Sequence, residues 1–178
     1  MSGEVIANIY DGRIVKLRLE RVELPSGRTI ELEVIRDKGA SAIAAVDDQE
    51  RVVLIRQFRH AAGGFIWELP AGVLDSDDEL PATCAIRELR EEVGLTARDW
   101  RPLGSIVTTP GFCDERIHLF LARGLADVGH ERGADEVIEE TRAVPVPEAL
   151  AMIRRGEIVD GKTVAGLYLA ADALRASA

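Results

Sequence analysis

Glu88, Glu91 and Glu92 stand at offsets of zero, three and four residues. At about 100° per residue on an α-helix, they form one stripe of carboxylates. Like charges at this spacing repel by roughly 0.2–0.5 kcal/mol per pair. A divalent cation removes that repulsion, and carboxylate oxygens suit Mg2+ or Mn2+. Spacing alone leaves a solvated acidic face equally open, although such faces usually interleave lysines. Here Arg87 and Arg90 flank the acids instead. The acids are also concentrated. Residues 72–95 hold seven of them against two bases, in a chain whose 22 Lys+Arg and 31 Asp+Glu give a net charge of −9.

A helix must carry that stripe. Pro81 suits a first helical turn, and Gly94 suits the position just past the last turn. Between them Ala82, Ala85, Ile86, Leu89 and Val93 mark an apolar face nearly opposite the acids. Ahead of this helix, Ala40–Val46 and Val52–Phe58 are dense apolar runs, which predicts strands covered on both faces. Ile66–Leu69 is a shorter candidate strand. Leu103–Val107, Ile117–Ala122 and Ile138–Val146 are further candidates. Residues 124–136 read as a loop rich in glycine and charge. Glu148–Arg155 and Val164–Arg175 have helical spacing. Residues 4–10, 13–24 and 29–35 alternate and are separated by Asp11-Gly12 and Pro25-Ser26-Gly27, which predicts a small antiparallel sheet. That sheet is too thin to bury a core alone. Mixed strands with three helices indicate an α/β sandwich.

Composition excludes several function classes. Hydrophobic residues are 47% and charged residues 30% of 178, an ordinary globular balance. No apolar run approaches the length of a membrane span, and an acidic chain is a poor nucleic-acid scaffold. The first residues, Met1-Ser2-Gly3-Glu4, lack the pattern of a secretory signal. Cys84 and Cys113 make no disulfide framework, and His60, His118 and His130 show no metal-ligand spacing. A reducing cytoplasm is the expected compartment.

The segment from Gly72 to Leu95 closes with Arg87-Glu88-Leu89-Arg90-Glu91-Glu92-Val93-Gly94-Leu95. It resembles the Nudix box, usually a glycine, five residues, a glutamate, seven residues, then Arg-Glu-apolar-x-Glu-Glu-x-Gly-apolar. The second half matches at every fixed position. In the first half six residues separate Gly72 from Glu79, so Asp78 or Glu79 fills the first acidic role. Val53–Arg59 and Trp67-Glu68-Leu69-Pro70-Ala71-Gly72 are similar to the strands before the box in ADP-ribose pyrophosphatases. Pro110, fifteen residues after Leu95, resembles the proline marker of that subfamily, and Gly156–Thr163 resembles its tail.

The resemblance implies an α/β/α sandwich with a mixed sheet (39–178) and an N-terminal antiparallel β extension (1–38) that forms a domain-swapped homodimer. It implies Mg2+-dependent hydrolysis of ADP-ribose to AMP and ribose 5-phosphate, with Mn2+ as a substitute. Other nucleotide sugars, CDP-choline, or a non-catalytic nucleotide sensor are the alternatives. Glu88 and Glu92 would be the main metal ligands, with Glu91 assisting and the Ala71 carbonyl adding a backbone oxygen. Arg87 would orient the glutamates, and Arg59 would contact substrate phosphate. The general base would come from the loop holding Glu131, Asp135, Glu136, Glu139 and Glu140, with Glu136 favoured and Glu139 second. Phe112 and Glu115 are candidate substrate contacts, and Arg36 is a candidate for reaching a neighbouring subunit's substrate.

Overall fold

A computed structural model describes residues 3–76, 78–129 and 137–176. Its strands are β1 (Glu4–Asp11), β2 (Lys16–Glu23), β3 (Thr29–Ile35), β4 (Ala40–Ala45), β5 (Arg51–Arg59), β6 (Gly64–Glu68), β7 (Ala71–Val73), β8 (Leu95–Val107), β9 (Arg116–Asp127) and β10 (Ile138–Pro145). The helices are α1 (Pro81–Val93), α2 (Val146–Arg154) and α3 (Gly161–Arg175). The strands form three sheets, ordered β1-β2-β3, β10-β5-β6 and β7-β4-β9-β8. The last is mixed, because β4 runs parallel to β9 while its other pairs are antiparallel.

Strand alternation explains the layers. In β4 every residue is buried, and successive side chains serve opposite cores. Ile43 and Ala45 pack with Val53, Ile55 and Phe120 against Ala85, Leu89 and Val93 of α1. Ala44, with Val52, Leu54 and Leu121, packs against Ala149 and Met152 of α2 and Leu167 and Ala170 of α3. The α/β/α sandwich follows directly. No helix among the described residues is long and apolar enough to cross a membrane.

The box helix begins at Pro81 and stops at Gly94, whose φ of +69° suits glycine and whose N–H caps the Arg90 and Leu89 carbonyls. Buried Ser41 in β4 donates to the Pro81 carbonyl at 2.8 Å, fixing the helix start against the sheet. The opening strands behave differently. All eight residues of β1 are exposed, among them Val5, Ile6, Ile9 and Tyr10.

Three elements differ from the sequence reading. β9 runs on to Asp127 through residues read as loop, because they pair with the start of β8. β8 starts at Leu95 rather than Leu103. It is an edge strand with little apolar alternation in its first half, and Pro102 and Gly104 mark a register shift. β7 is only three residues long, below what periodicity resolves.

Asp160 caps α3 by accepting from the Thr163 N–H at 3.0 Å. The Thr163 hydroxyl donates to Asp160 at 2.6 Å and accepts from the Leu69 N–H at 2.8 Å. Thr163→Val keeps the shape and strands the Leu69 donor. We expect a loss of about 1–3 kcal/mol, read as a lower urea midpoint; an unchanged midpoint would show that Leu69 finds another acceptor.

Candidate active site

The acidic stripe splits by burial. Glu88 is 5% and Glu92 1% exposed, whereas the Glu91 side chain is partly open to solvent. Glu92 accepts from the Ala71 N–H at 2.8 Å, so the end of the box helix grips the start of β7. Register places Ala71 beside Ala42 and Gly72 beside Ser41. A Cβ at position 72 would lie 2.0 Å from the Glu88 carboxyl carbon. Only glycine admits that carboxylate.

Arg87 gathers four acids of the box. Its guanidinium meets Glu79 at 3.2 Å, Asp75 at 3.3 Å, Glu88 at 2.5 Å and Glu91 at 3.2 Å. It also donates to the Val73 carbonyl at 3.1 Å. Of the two acids left open by the sequence, Glu79 is the one that meets Arg87. The guanidinium, helped by the Asp75 N–H, holds the Glu79 carboxyl below the usual carboxylate range. Burial pushes the nearby Cys84 thiol up to about 11, so it stays protonated near neutrality and is no nucleophile.

A second charged cluster faces the box from β5, β6 and α3. Glu68, 2% exposed, pairs with Arg59 at 2.7 Å and Lys162 at 3.2 Å. Lys162 also reaches Asp160 at 3.0 Å. Burial opposes the charge on Arg59, but the Glu68 carboxylate outweighs it, and Glu92 and Asp160 add to the field. Arg59 therefore sits in the same electrostatic neighbourhood as the box. Glu68, Asp160 and Lys162 lie in the two segments that carried the resemblance, yet no role had been read for them. Their pairing spans strand and helix and leaves no local signal.

Other candidates lie elsewhere. Arg36 donates to Glu20 through two nitrogens, at 2.8 and 2.5 Å, and to Asp114 at 2.8 Å. Its guanidinium is engaged there and not at the box glutamates. Phe112 is exposed, and Glu115 is half-buried. Their loop is tied to the N-terminal sheet by Ile35 N–H to Phe112 O at 2.7 Å and Asp114 N–H to Ile35 O at 3.2 Å. Glu139 pairs with Arg56. Alternation points Arg56 to the face of β5 opposite Gln57 and Arg59, so Glu139 is not brought to the box. Glu131, Asp135 and Glu136 lie outside the described residues. A cavity of about 350 Å³ lined by Arg98, Trp100, Arg101 and Arg123 occupies another part of β8 and β9 and includes none of the candidates.

Among the described residues, no three His, Cys, Asp or Glu side chains converge tightly enough to grip an ion. Arg87 holds oxygens of Glu88 and Glu91, so a cation competes with that guanidinium for them. The donors are nevertheless the hard oxygens that Mg2+ or Mn2+ takes. The Gly72 cradle leaves room for the Glu88 carboxylate beside the β7 backbone. Glu88 and Glu92, both buried beside β7, present the donors that such a cation would use.

Comparison with known proteins agrees with this geometry. The profile of the NUDIX domain matches residues 36–167. An ADP-ribose pyrophosphatase of Mycobacterium tuberculosis is 42% identical over 160 residues, covering 89% of this chain and 77% of that protein. A methanol dehydrogenase activator of Bacillus methanolicus is 40% identical over 161 residues, covering 88% and 84%. A crystal structure of an ADP compounds hydrolase superposes with a TM-score of 0.83 over 99% of this chain and 96% of that one; at 19% identity it speaks for the fold. With a profile that spans most of the chain and a box helix built as described, this chain belongs to the NUDIX domain family.

Proposed function

We propose that the chain hydrolyses the pyrophosphate bond of ADP-ribose, giving AMP and ribose 5-phosphate, with Mg2+ and with Mn2+ as a substitute. The observation that carries this reading is the intact Glu88, Glu91 and Glu92 stripe, two of its members buried against the Ala71–Gly72 backbone. The name of the M. tuberculosis relative supplies the substrate.

When bound, the cation supplies neutralisation of the pyrophosphate charge and Lewis acidity toward water. The chain supplies the rest. Glu88 and Glu92 would hold the cation; Arg87 orients the carboxylates of Glu88 and Glu91, and the Ala71 N–H orients that of Glu92. Arg59, fixed by Glu68, binds a phosphate oxygen through its charge. Water attacks one phosphorus; a new P–O bond forms, the anhydride P–O bond breaks, and the water proton passes to a carboxylate base. Glu136 is our choice for that base; Glu139, second on sequence, is held by Arg56 on the other face of β5. Phe112 and Glu115 would meet the nucleoside or sugar.

Residues 1–38 serve as a dimerisation extension on the catalytic unit 39–178 in this reading. Support comes from the uncovered apolar side chains of β1, which a second copy would bury. The two free cysteines suit a cytoplasmic enzyme.

Light scattering at micromolar concentration should give twice the chain mass; a monomer would remove the swapped-dimer arrangement. Chromatography of a panel of ADP-ribose, ADP-glucose, CDP-choline, GDP-mannose and NADH should show Mg2+-dependent AMP release from ADP-ribose ahead of the others, and none with EDTA. Preferred cleavage of another member would change the substrate and keep the chemistry. Binding without cleavage would make the protein a sensor. Glu92→Gln keeps an acceptor for the Ala71 N–H and removes the charge. It should lower kcat by about 100-fold or more, some 2.7 kcal/mol of barrier, with an unchanged circular dichroism spectrum; near-normal turnover would refute the metal assignment.

A further inference from the structure

Gln57 is 5% exposed, and its side-chain Oε1 has no hydrogen-bond partner. No other buried side-chain nitrogen or oxygen among the described residues is left so. Buried acceptors in native proteins are almost always satisfied, and an exception calls for a reason, a catalytic or ligand-binding role among them.

Its position on β5 says what that is. The ladder sets Gln57 between Ile66 of β6 and Ile138 of β10. Alternation puts its side chain on the face of Val53, Ile55 and Arg59. Val53 and Ile55 pack against Ala85 and Leu89 of α1, and Arg59 feels the charge of Glu92. Gln57 is the residue between, so its amide points toward the cleft that the box helix shares with Arg59. The neighbouring charged groups satisfy one another, Arg59 and Lys162 with Glu68 and Lys162 with Asp160. An amide oxygen repels phosphate oxygens and needs a donor. ADP-ribose brings the adenine amino N–H and ribose hydroxyls, and it is the hydroxyls that flank the pyrophosphate on both sides, next to the phosphate that Arg59 would bind.

We propose that Gln57 is a ligand-contacting residue of this site, its Oε1 accepting a hydrogen bond from a sugar hydroxyl of the substrate or from a water bound with it. The proposal rests on the pyrophosphatase reading above. It separates two properties that usually fall together. An acceptor kept unpaired for a ligand costs stability in the free protein, so removing it stabilises the fold and harms turnover.

Gln57→Met, close in volume and without a polar end, tests this, with Gln57→Leu as a second variant. The urea midpoint should stay level or rise, while kcat/KM for ADP-ribose falls by about tenfold or more. A matching loss of affinity for the α,β-methylene analogue of ADP-ribose, measured by calorimetry, assigns the donor to a sugar hydroxyl. A loss confined to kcat assigns it to water. A lower midpoint would mean that Oε1 is already satisfied by a structural water and would overturn the proposal, as would a loss smaller than tenfold. The unsubstituted chain is the control: if it releases no AMP from ADP-ribose with Mg2+, the pyrophosphatase reading fails, separately from the contact.

Discussion

Four carboxylates, those of Asp75, Glu79, Glu88 and Glu91, meet the guanidinium of Arg87. Without that cation the acids would repel one another across a helix face and the loop before it. With it, the loop from β7 to α1 is drawn onto the helix, and its acids become a fixed constellation. Arginine suits this place because its planar fork binds several oxygens at once, whereas an ammonium is a point charge. Glu92, the third glutamate of the helix stripe, accepts from the Ala71 N–H. One helix thus orients β7 from its end and the loop from its middle.

The N-terminal sheet is attached on the same logic. Glu20 is almost fully buried, and its carboxylate meets two nitrogens of Arg36. Arg36 passes on to Asp114, whose second oxygen accepts from the Asp37 N–H at 2.8 Å. Burial in this network is tolerable for Glu20 because its partner is charged and bidentate. The β strands of the extension are thereby joined to the loop of Phe112 and Glu115. Register brings that end of β9 close to β7, since Ile117, Ala40 and Val73 stand side by side across three strands.

Legibility in the sequence followed locality. The box helix could be read because its apolar face, proline start and glycine stop lie within one short segment. β4 and β5 could be read because burial on both faces demands unbroken apolar runs. The first half of β8 could not, since an edge strand needs little apolar alternation. Glu68 and Lys162 were visible as residues and invisible as a pair, because only the fold sets β6 beside the start of α3. Arg36 carried no sign of its two acids, which are 16 and 78 residues away. The unpaired oxygen of Gln57 depends on what β6 and β10 place around it, which no spacing within β5 records.

The tie between Thr163 and Leu69 bridges 94 residues, and Lys162 beside it completes the partners of Glu68. During synthesis the box helix and all three of its glutamates emerge long before α3 does. A nascent chain can therefore hold the acidic stripe while Leu69 lacks its acceptor and Glu68 has Arg59 alone. Contacts of such separation form late, after their loop-closure entropy has been overcome. The helix that finishes the wall opposite the box is thus made well after the box itself, and the cleft is complete only once α3 has formed.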